Sequence, residues 1–209
     1  KNQEGEGLLS QRKKKLKLKA LKLKSQEEGE EVPKRTILRY PNEFLKKESD
    51  PVPVPLEEET LSLVKDLKDT CTVEGGVGIS APQVGINKRV IVATHDGVLK
   101  AFINPEIISY EGVFERREKE GCLSFPGLFS KIKRFDRVVI SYNDESGNLL
   151  EETYDGFTSQ IIQHEVDHLN GITMLDRMHR LERDRYFRKQ KRQTKKLNNM
   201  IKRLMSSVK

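Results

Sequence analysis

The sequence predicts an α+β fold of antiparallel strand pairs with helices at distinct places, one of them a long helix at the C-terminal end. Three observations carry this expectation. Two pairs of strand-like segments are each joined by a tight turn, at Asp96-Gly97 and at Ser146-Gly147. The helical patterns stand at distinct places along the chain, whereas a parallel α/β sheet needs regular alternation of strand and helix. A third segment, directly after the second strand pair, is amphipathic at helical spacing and carries histidines and acids.

Taken in order, residues 1–31 read as a mostly disordered tail. Gln11 to Lys24 mixes Lys with Leu16, Leu18, Leu21 and Leu23, and Glu27, Glu28, Glu30 and Glu31 follow. No apolar core of a signal peptide is present. The chain starts at Lys1, which is compatible with processing beside a removed transit sequence. Order is expected from near Val32. Thr36 to Tyr40 is a short apolar piece, and Pro51, Pro53 and Pro55 enforce extended chain. Leu56 to Val73 reads as a helix with Thr60, Leu63, Val64 and Leu67 on one face, ended by Gly75-Gly76. Arg89 to Thr94 and Lys100 to Ile103 form the first strand pair, Val138 to Tyr142 and Leu149 to Tyr154 the second. Phe157 to Asn170 reads as a helix, with Gly171 just past its end. From about His179 the chain reads as a basic helix with Leu197, Ile201, Leu204 and Met205 on one stripe. The expected organisation is a tail over 1–31, one folded domain over 32–180 and the basic helix over 181–209.

Composition narrows the class. The 209 residues suit one domain with tails, and charged residues (34%) nearly match hydrophobic ones (35%). No run of 18 apolar residues exists, which excludes a spanning helix. Two cysteines cannot build a disulfide framework. The net charge of +7 divides unevenly. Residues 11–24 hold eight bases and no acid, and residues 179–209 hold twelve bases and two acids, which leaves 19 bases against 30 acids between and around them. Basic ends on an acidic body suit a polyanion, either nucleic acid or a membrane surface; the plainer reading is a solvated, lysine-rich helix.

The strongest local signal is His164-Glu165-Val166-Asp167-His168. Histidines at i and i+4 lie about 40° apart around a helix axis, so both rings can reach one metal ion. Glu165 can then face a water on that metal as general base. The chance alternative is a surface helix with two unrelated histidines. A third ligand is needed. In the longer H-E-x-x-H-x-x-G-x-x-H pattern the third histidine position holds Met174. Glu182 is a distant carboxylate in the basic segment. Cys122, in Glu120-Gly121-Cys122-Leu123-Ser124 with Pro126-Gly127 after it, sits at a loop edge and is the remaining soft candidate. Cys71, at the end of a helix, reads as inert core. In Gly76-Val77-Gly78-Ile79-Ser80-Ala81-Pro82-Gln83-Val84-Gly85, alternate glycines let another backbone approach, and Gln83 can donate to a developing oxyanion. A plain turn is the alternative. No lysine completes a phosphate-binding loop.

Together these three segments resemble the peptide deformylase family, whose hallmarks are GxGxAAxQ, EGCLS and QHExDHLxG in that order. Here they stand as Gly76 to Gln83, Glu120 to Ser124 and Gln163 to Gly171, with Ser80 for the first alanine as the departure. The resemblance covers about residues 32–180. It implies antiparallel β-sheets around a central metal-binding helix, and Cys122, His164 and His168 as ligands of one divalent ion with water in the fourth position. Fe²⁺ is the usual ion, and Zn²⁺, Ni²⁺ or Co²⁺ can substitute. It also implies that the activated water attacks a formyl carbon while Glu165 takes its proton and later delivers it to the departing amine. The Gln83 amide, the Leu123 backbone N–H and the metal would hold the oxyanion. The products are formate and a peptide with a free N-terminal methionine. Backbone around Gly76, Val77 and Gly78 would pair with the extended N-formylmethionyl nascent peptide. Val77, Phe157 and Ile161 would wall the methionine slot, or else serve ordinary packing. Glu120 and Asp167 would orient neighbours, or pair with Arg134 for structure only.

The basic C-terminal helix then gains an expected partner, the phosphates of ribosomal RNA. Formylmethionine starts proteins in bacteria, mitochondria and plastids. The basic ends and the absent initiator methionine lean toward an organelle, a plastid-type one such as an apicoplast, with the bacterial cytoplasm as alternative. Two rivals remain. A zinc endopeptidase would use Glu182 and tolerate loss of Cys122. A ribosome- or RNA-binding protein with a structural metal would need a fourth ligand, yet His95, His179 and Cys71 lie in unrelated segments.

Overall fold

The structure is a computed structural model that describes residues 34–112, 114–115 and 119–207. The tail expected over 1–31 lies outside the described residues. Helix α1, Glu58–Glu74, starts with Glu58 and Glu59 against the positive end of its dipole. It ends where Gly75 takes a left-handed φ of 69° and its N–H returns to Cys71 and Thr72 carbonyls. Leu63, Val64, Leu67, Thr70 and Cys71 form its buried face.

Among the described residues, nine strands follow the first helix. Five make one antiparallel sheet in the order β1-β2-β3-β8-β9: β1 Gly78–Ser80, β2 Val90–His95, β3 Val98–Glu111, β8 Arg137–Asn143 and β9 Leu149–Asp155. Two short ribbons stand beside it, β4 Phe114–Glu115 with β7 Lys133–Arg134, and β5 Glu120–Gly121 with β6 Phe129–Ser130. The β2–β3 turn is Asp96-Gly97 with φ of 48° and 83°, both positive as the tightest hairpin turn requires. Strand β3 runs to Glu111, well past the Ile103 that the pattern marks. Asn104 sits at φ 51° and its amide pairs with the Val52 backbone at 2.7 and 2.8 Å. The ladder therefore slips around Asn104-Pro105 and resumes at Glu106, a bulge that carries a proline through a strand.

Helix α2, Gly156–Leu169, lies across β1 and β2. Ile161, Ile162, Val166 and Leu169 pack with Ile91, Phe102, Ile140 and Tyr142 on one sheet face. Leu63, Val64, Leu67 and Cys71 of α1 pack with Ile79, Val90, Val92 and Ile103 in a second core. A third joins Phe125, Leu128 and Ile132 to Met174 and Leu175 of the one-turn helix α3, Met174–Arg177. Helix α4, Arg180–Ser207, is the last element among the described residues. Gly171, at φ 68°, lets the Lys46 carbonyl approach where any Cβ would collide with it. No helix among the described residues is long and apolar enough to cross a membrane.

Candidate metal centre and active-site cavity

Sheet and ribbons bring the three sequence segments to one place. Helix α2 presents His164 and His168 on the same side, ring centroids 5.1 Å apart. Cys122, just past β5, places its Sγ 3.2 Å from His168 Nε2. One donor atom from each of Cys122, His164 and His168 lies within 4.8 Å of the others, the convergence that one ion needs. Among the described residues this is the group of three that converges in this way. Cys71 is buried instead in the second core, between α1 and the sheet, where burial pushes its thiol up to about 12. His95 pairs with Thr158, His179 with the Leu181 backbone, and Glu182 with Ser130 on β6. A Glu182-ligated site therefore has no support in the geometry.

The charges around the three donors favour a cation. Glu120 faces His164 Nδ1 at 3.6 Å, which leaves Nε2 for the centre. Burial alone would lower the His164 pKa, but contact with Cys122 and Glu120 lifts it well above the imidazole range. His168 is pushed well below it by burial and by the charges of His164 and Arg134, which favours the neutral ring that a metal ligand needs. A thiol sulfur and two imidazoles, with a carboxylate behind one of them, fit a divalent ion of borderline softness.

The supporting network is buried. Arg134 donates to Asp167 at 2.6 Å and to Glu120 at 3.0 Å, and Gln160 donates to Glu120 at 3.2 Å. Burial pushes Glu120 up, yet the His164 and Arg134 contacts outweigh it and hold the acid near 2. Arg177 closes on the other side of Asp167 at 2.6 Å. Glu120 and Asp167 thus orient neighbours and pair with Arg134 at once. Arg134, expected only as one possible partner of these acids, stands between both of them.

Gln83 is aimed by its own turn. Its Oε1 accepts from Ser80 N at 2.9 Å and Ser80 Oγ at 3.0 Å. That fixes the amide so that Nε2 donates toward Cys122 Sγ at 3.4 Å and Ser124 Oγ at 3.2 Å. The short piece around Leu38 and Tyr40 ties the two segments together, donating to the Gln83 and Ser124 carbonyls at 2.7 and 3.0 Å. Glu165 is buried; burial raises its pKa to about 7 against the pull of His164 and Ser80. Its Oε2 has no hydrogen-bond partner among the described residues. Gly78 is required here: a Cβ would stand 2.6 Å from Ile161 Cγ2 and 2.7 Å from Glu165 Oε1.

A cavity of about 460 Å³ opens over these groups. Gln83, Cys122, Leu123, His164 and Glu165 line it, as do Gly76, Val77, Gly78, Phe157 and Ile161. Ile161 is buried, whereas Val77 and Phe157 are partly open to it. Strand β1 is an edge of the sheet, so one wall carries unpaired backbone. Arg39, Lys119 and Phe129 line the cavity too, and no pattern in the sequence points to them.

Comparison with known proteins follows the same outline. The family model described as polypeptide deformylase matches residues 34–184. A peptide deformylase of Aquifex aeolicus is 41% identical over 150 residues, 69% of this chain and 87% of that protein. The crystal structure of a peptide deformylase from Legionella pneumophila is 35% identical with a TM-score of 0.71, covering 80% of this chain and 98% of the other. A peptide deformylase from Acinetobacter baumannii, solved with Met-Ala-Ser bound, is 30% identical with a TM-score of 0.66, covering 70% and 99%. The chain belongs to the polypeptide deformylase family, whose members are metal-dependent hydrolases.

Proposed function

We propose that this chain removes the formyl group from N-formylmethionine at the start of newly made polypeptides and releases formate. The observation that carries the reading is the convergence of Cys122, His164 and His168, with Cys122 and His164 lining one cavity together with Glu165 and Gln83. The Acinetobacter baumannii structure holds Met-Ala-Ser, which supports a peptide beginning with methionine as the ligand here.

Cys122, His164 and His168 would hold one divalent ion, ferrous iron by choice, with zinc, nickel or cobalt able to substitute. When bound, it supplies Lewis-acid activation of the water and of the formyl carbonyl. Glu165 takes the proton of the attacking water and passes it to the departing amine; a carboxylate with a pKa near 7 suits both transfers. The Gln83 amide and the Leu123 N–H donate to the developing oxyanion, and loss of one such donor costs about 2.7–4 kcal/mol of transition-state stabilisation. The substrate backbone adds to the β1 edge at Gly76, Val77 and Gly78. Its methionine side chain enters the slot of Val77, Phe157 and Ile161.

Helix α4 supports a ribosomal RNA contact, because Arg185, Arg188, Lys189, Arg192 and Lys196 line one groove on its surface. A plastid-type compartment such as an apicoplast remains our reading of the basic ends, with the bacterial cytoplasm as alternative. Formate release from formyl-Met-Ala-Ser tests the activity, with wild type and Glu165→Ala purified without oxygen and matched for metal. Formate from wild type alone is the expected result. Cleavage inside a longer unformylated peptide, with no formate, would sink the proposal in favour of an endopeptidase.

A further inference from the structure

The start of α4 is fastened to the body, and the rest of it stands clear. Glu182 meets Ser130 on β6, Arg183 donates to the Leu175 carbonyl at 3.4 Å, and the Phe187 and Tyr40 rings lie 6.4 Å apart. From residue 191 to residue 205 every side chain is exposed. At 1.5 Å per residue this arm is about 22 Å long. Its apolar residues are not scattered. Leu197, Met200, Ile201, Leu204 and Met205 follow the spacing of one helix face, an arc about 140° wide. All five are 45–70% exposed. By the same helical arithmetic Lys196 and Arg203 border one side of the arc, and Lys195 and Lys202 border the other. No acid stands between Arg185 and Met205. The groove of Arg185, Arg188, Lys189, Arg192 and Lys196 suits phosphates, but phosphates do not account for an apolar face beside it.

We propose that the C-terminal half of α4 is an interfacial anchor, which lays Leu197, Met200, Ile201, Leu204 and Met205 into a membrane surface rich in anionic lipid. The proposal stands apart from the deformylase reading. A bilayer surface offers what this arm needs on both counts. Acyl chains just below the headgroups receive the apolar face, and anionic headgroups on either side meet Lys195, Lys196, Lys202 and Arg203. Cations along both borders suit a flat anionic layer with the helix lying in its plane. A second copy of the helix fits worse, because pairing along this face would set like charges against each other at both borders. A protein groove fits worse too, because such contacts are anchored chiefly by Trp, Tyr and Arg, and the arc holds none of them.

The test is co-sedimentation of the full chain with two kinds of vesicle, phosphatidylcholine alone and equal parts of phosphatidylcholine and phosphatidylglycerol. Wild type should bind the anionic vesicles at least about tenfold more tightly than the neutral ones. The triple variant Leu197→Gln, Ile201→Gln, Leu204→Gln keeps every charge and puts a good helix former at each site. It should lose about tenfold or more of that affinity, with formate release in solution unchanged. The chain has no tryptophan, so a single Leu204→Trp substitution gives a clean probe of depth. Its emission should shift to the blue on anionic vesicles and stay unshifted with a ribosomal RNA fragment. Failure of wild type to bind the anionic vesicles overturns the proposal. Binding that the triple variant retains in full also overturns it, because the charges alone would then adsorb. A blue shift that grows with protein concentration in the absence of vesicles overturns it in favour of a second copy. If the triple variant does not fold, the tryptophan probe decides. Absence of formate with vesicle binding intact would count against the deformylase reading and leave this one standing.

Discussion

Helices α2 and α4 both break the rule that apolar residues go inside, and they break it in opposite senses. In α2 the polar groups are interior: Gln160, Gln163, His164, Glu165, Asp167 and His168 are all buried. In α4 the apolar groups are exterior: Leu197, Met200, Ile201 and Met205 are 45–70% exposed. A buried polar residue is costly unless satisfied, so it carries information that an exposed leucine does not. The α2 inversion is balanced within the chain. Arg134, Arg177 and Ser159 meet its acids and amides, and Cys122 meets its histidines. The α4 inversion is left open to solvent, beside a groove of cations. One helix is explained by what folds around it, and the other calls for something from outside.

The largest effect expected from this contrast comes from removing the partner of α2. Arg134→Met would leave Glu120 and Asp167 with one counter-charge fewer in a buried setting. Breaking a buried ion pair from one side costs roughly 3–5 kcal/mol. Urea unfolding of the metal-free protein should therefore show a drop of that size, and chelator competition should show weaker metal binding. A loss below about 1 kcal/mol would mean that water or a shift of Arg177 replaces the guanidinium, and that α2 is less enclosed than its burial suggests.

The same contrast explains what could be read from sequence. The two strand pairs, the positive-φ turn at Gly97 and, to within one residue, the ends of α2 at Gly156 and Leu169 follow from local pattern. So does the pairing of His164 with His168, because i and i+4 on a helix fix their side. The rest depends on contacts distant in the chain. Strand β3 outruns its pattern because Asn104 borrows the Val52 backbone to carry the ladder past Pro105. The Leu38–Tyr40 piece looks like a stray apolar run, yet it fastens the Gln83 and Ser124 segments. Arg134 is legible only as one possible partner of the acids, and Phe129 is a lone aromatic in a loop-rich stretch. Cys122 and Cys71 are separable in sequence as a loop edge and a helix end, and the structure adds the surroundings: thiol among imidazoles against thiol in apolar core.

A middle case lies on the sheet, where a charge cluster is neither enclosed like α2 nor free like α4. Lys100 on β3 donates to Glu152 on β9 at 2.6 Å, and Tyr142 and Tyr154 hydrogen-bond the same carboxylate. Burial raises the Glu152 pKa, but these donors outweigh it and hold the acid near 2. A depressed folded-state pKa gives stability that is present above the unfolded value of about 4.3 and lost as pH falls toward 2. Glu152 is 40% exposed, so water and salt screen the gain to below about 1 kcal/mol. The difference in unfolding free energy between wild type and Glu152→Gln should be full at pH 6 and shrink toward zero near pH 2. A difference independent of pH would assign the effect to packing of the tyrosines instead.

The smallest effect on stability belongs to α4, where it is also the most diagnostic. Arg188 and Arg192 lie four residues apart on an exposed face. Replacing both by alanine removes solvated charge and leaves the helix a good former at each position, so unfolding free energy should move by no more than about 0.5 kcal/mol. If α4 meets RNA through phosphates, each lost contact should reduce the slope of log affinity against log salt by roughly 0.7–0.9, or nearly two for the pair. Fluorescence anisotropy with a ribosomal RNA fragment at several salt concentrations reads that slope. An unchanged slope with unchanged stability would show that these charges only keep the helix in water. The exposed leucine stripe and the cations beside it would then remain as the binding part of α4. A stability loss as large as that of Arg134→Met would instead erase the contrast between the two helices, because α4 would have to be packed against something within the chain.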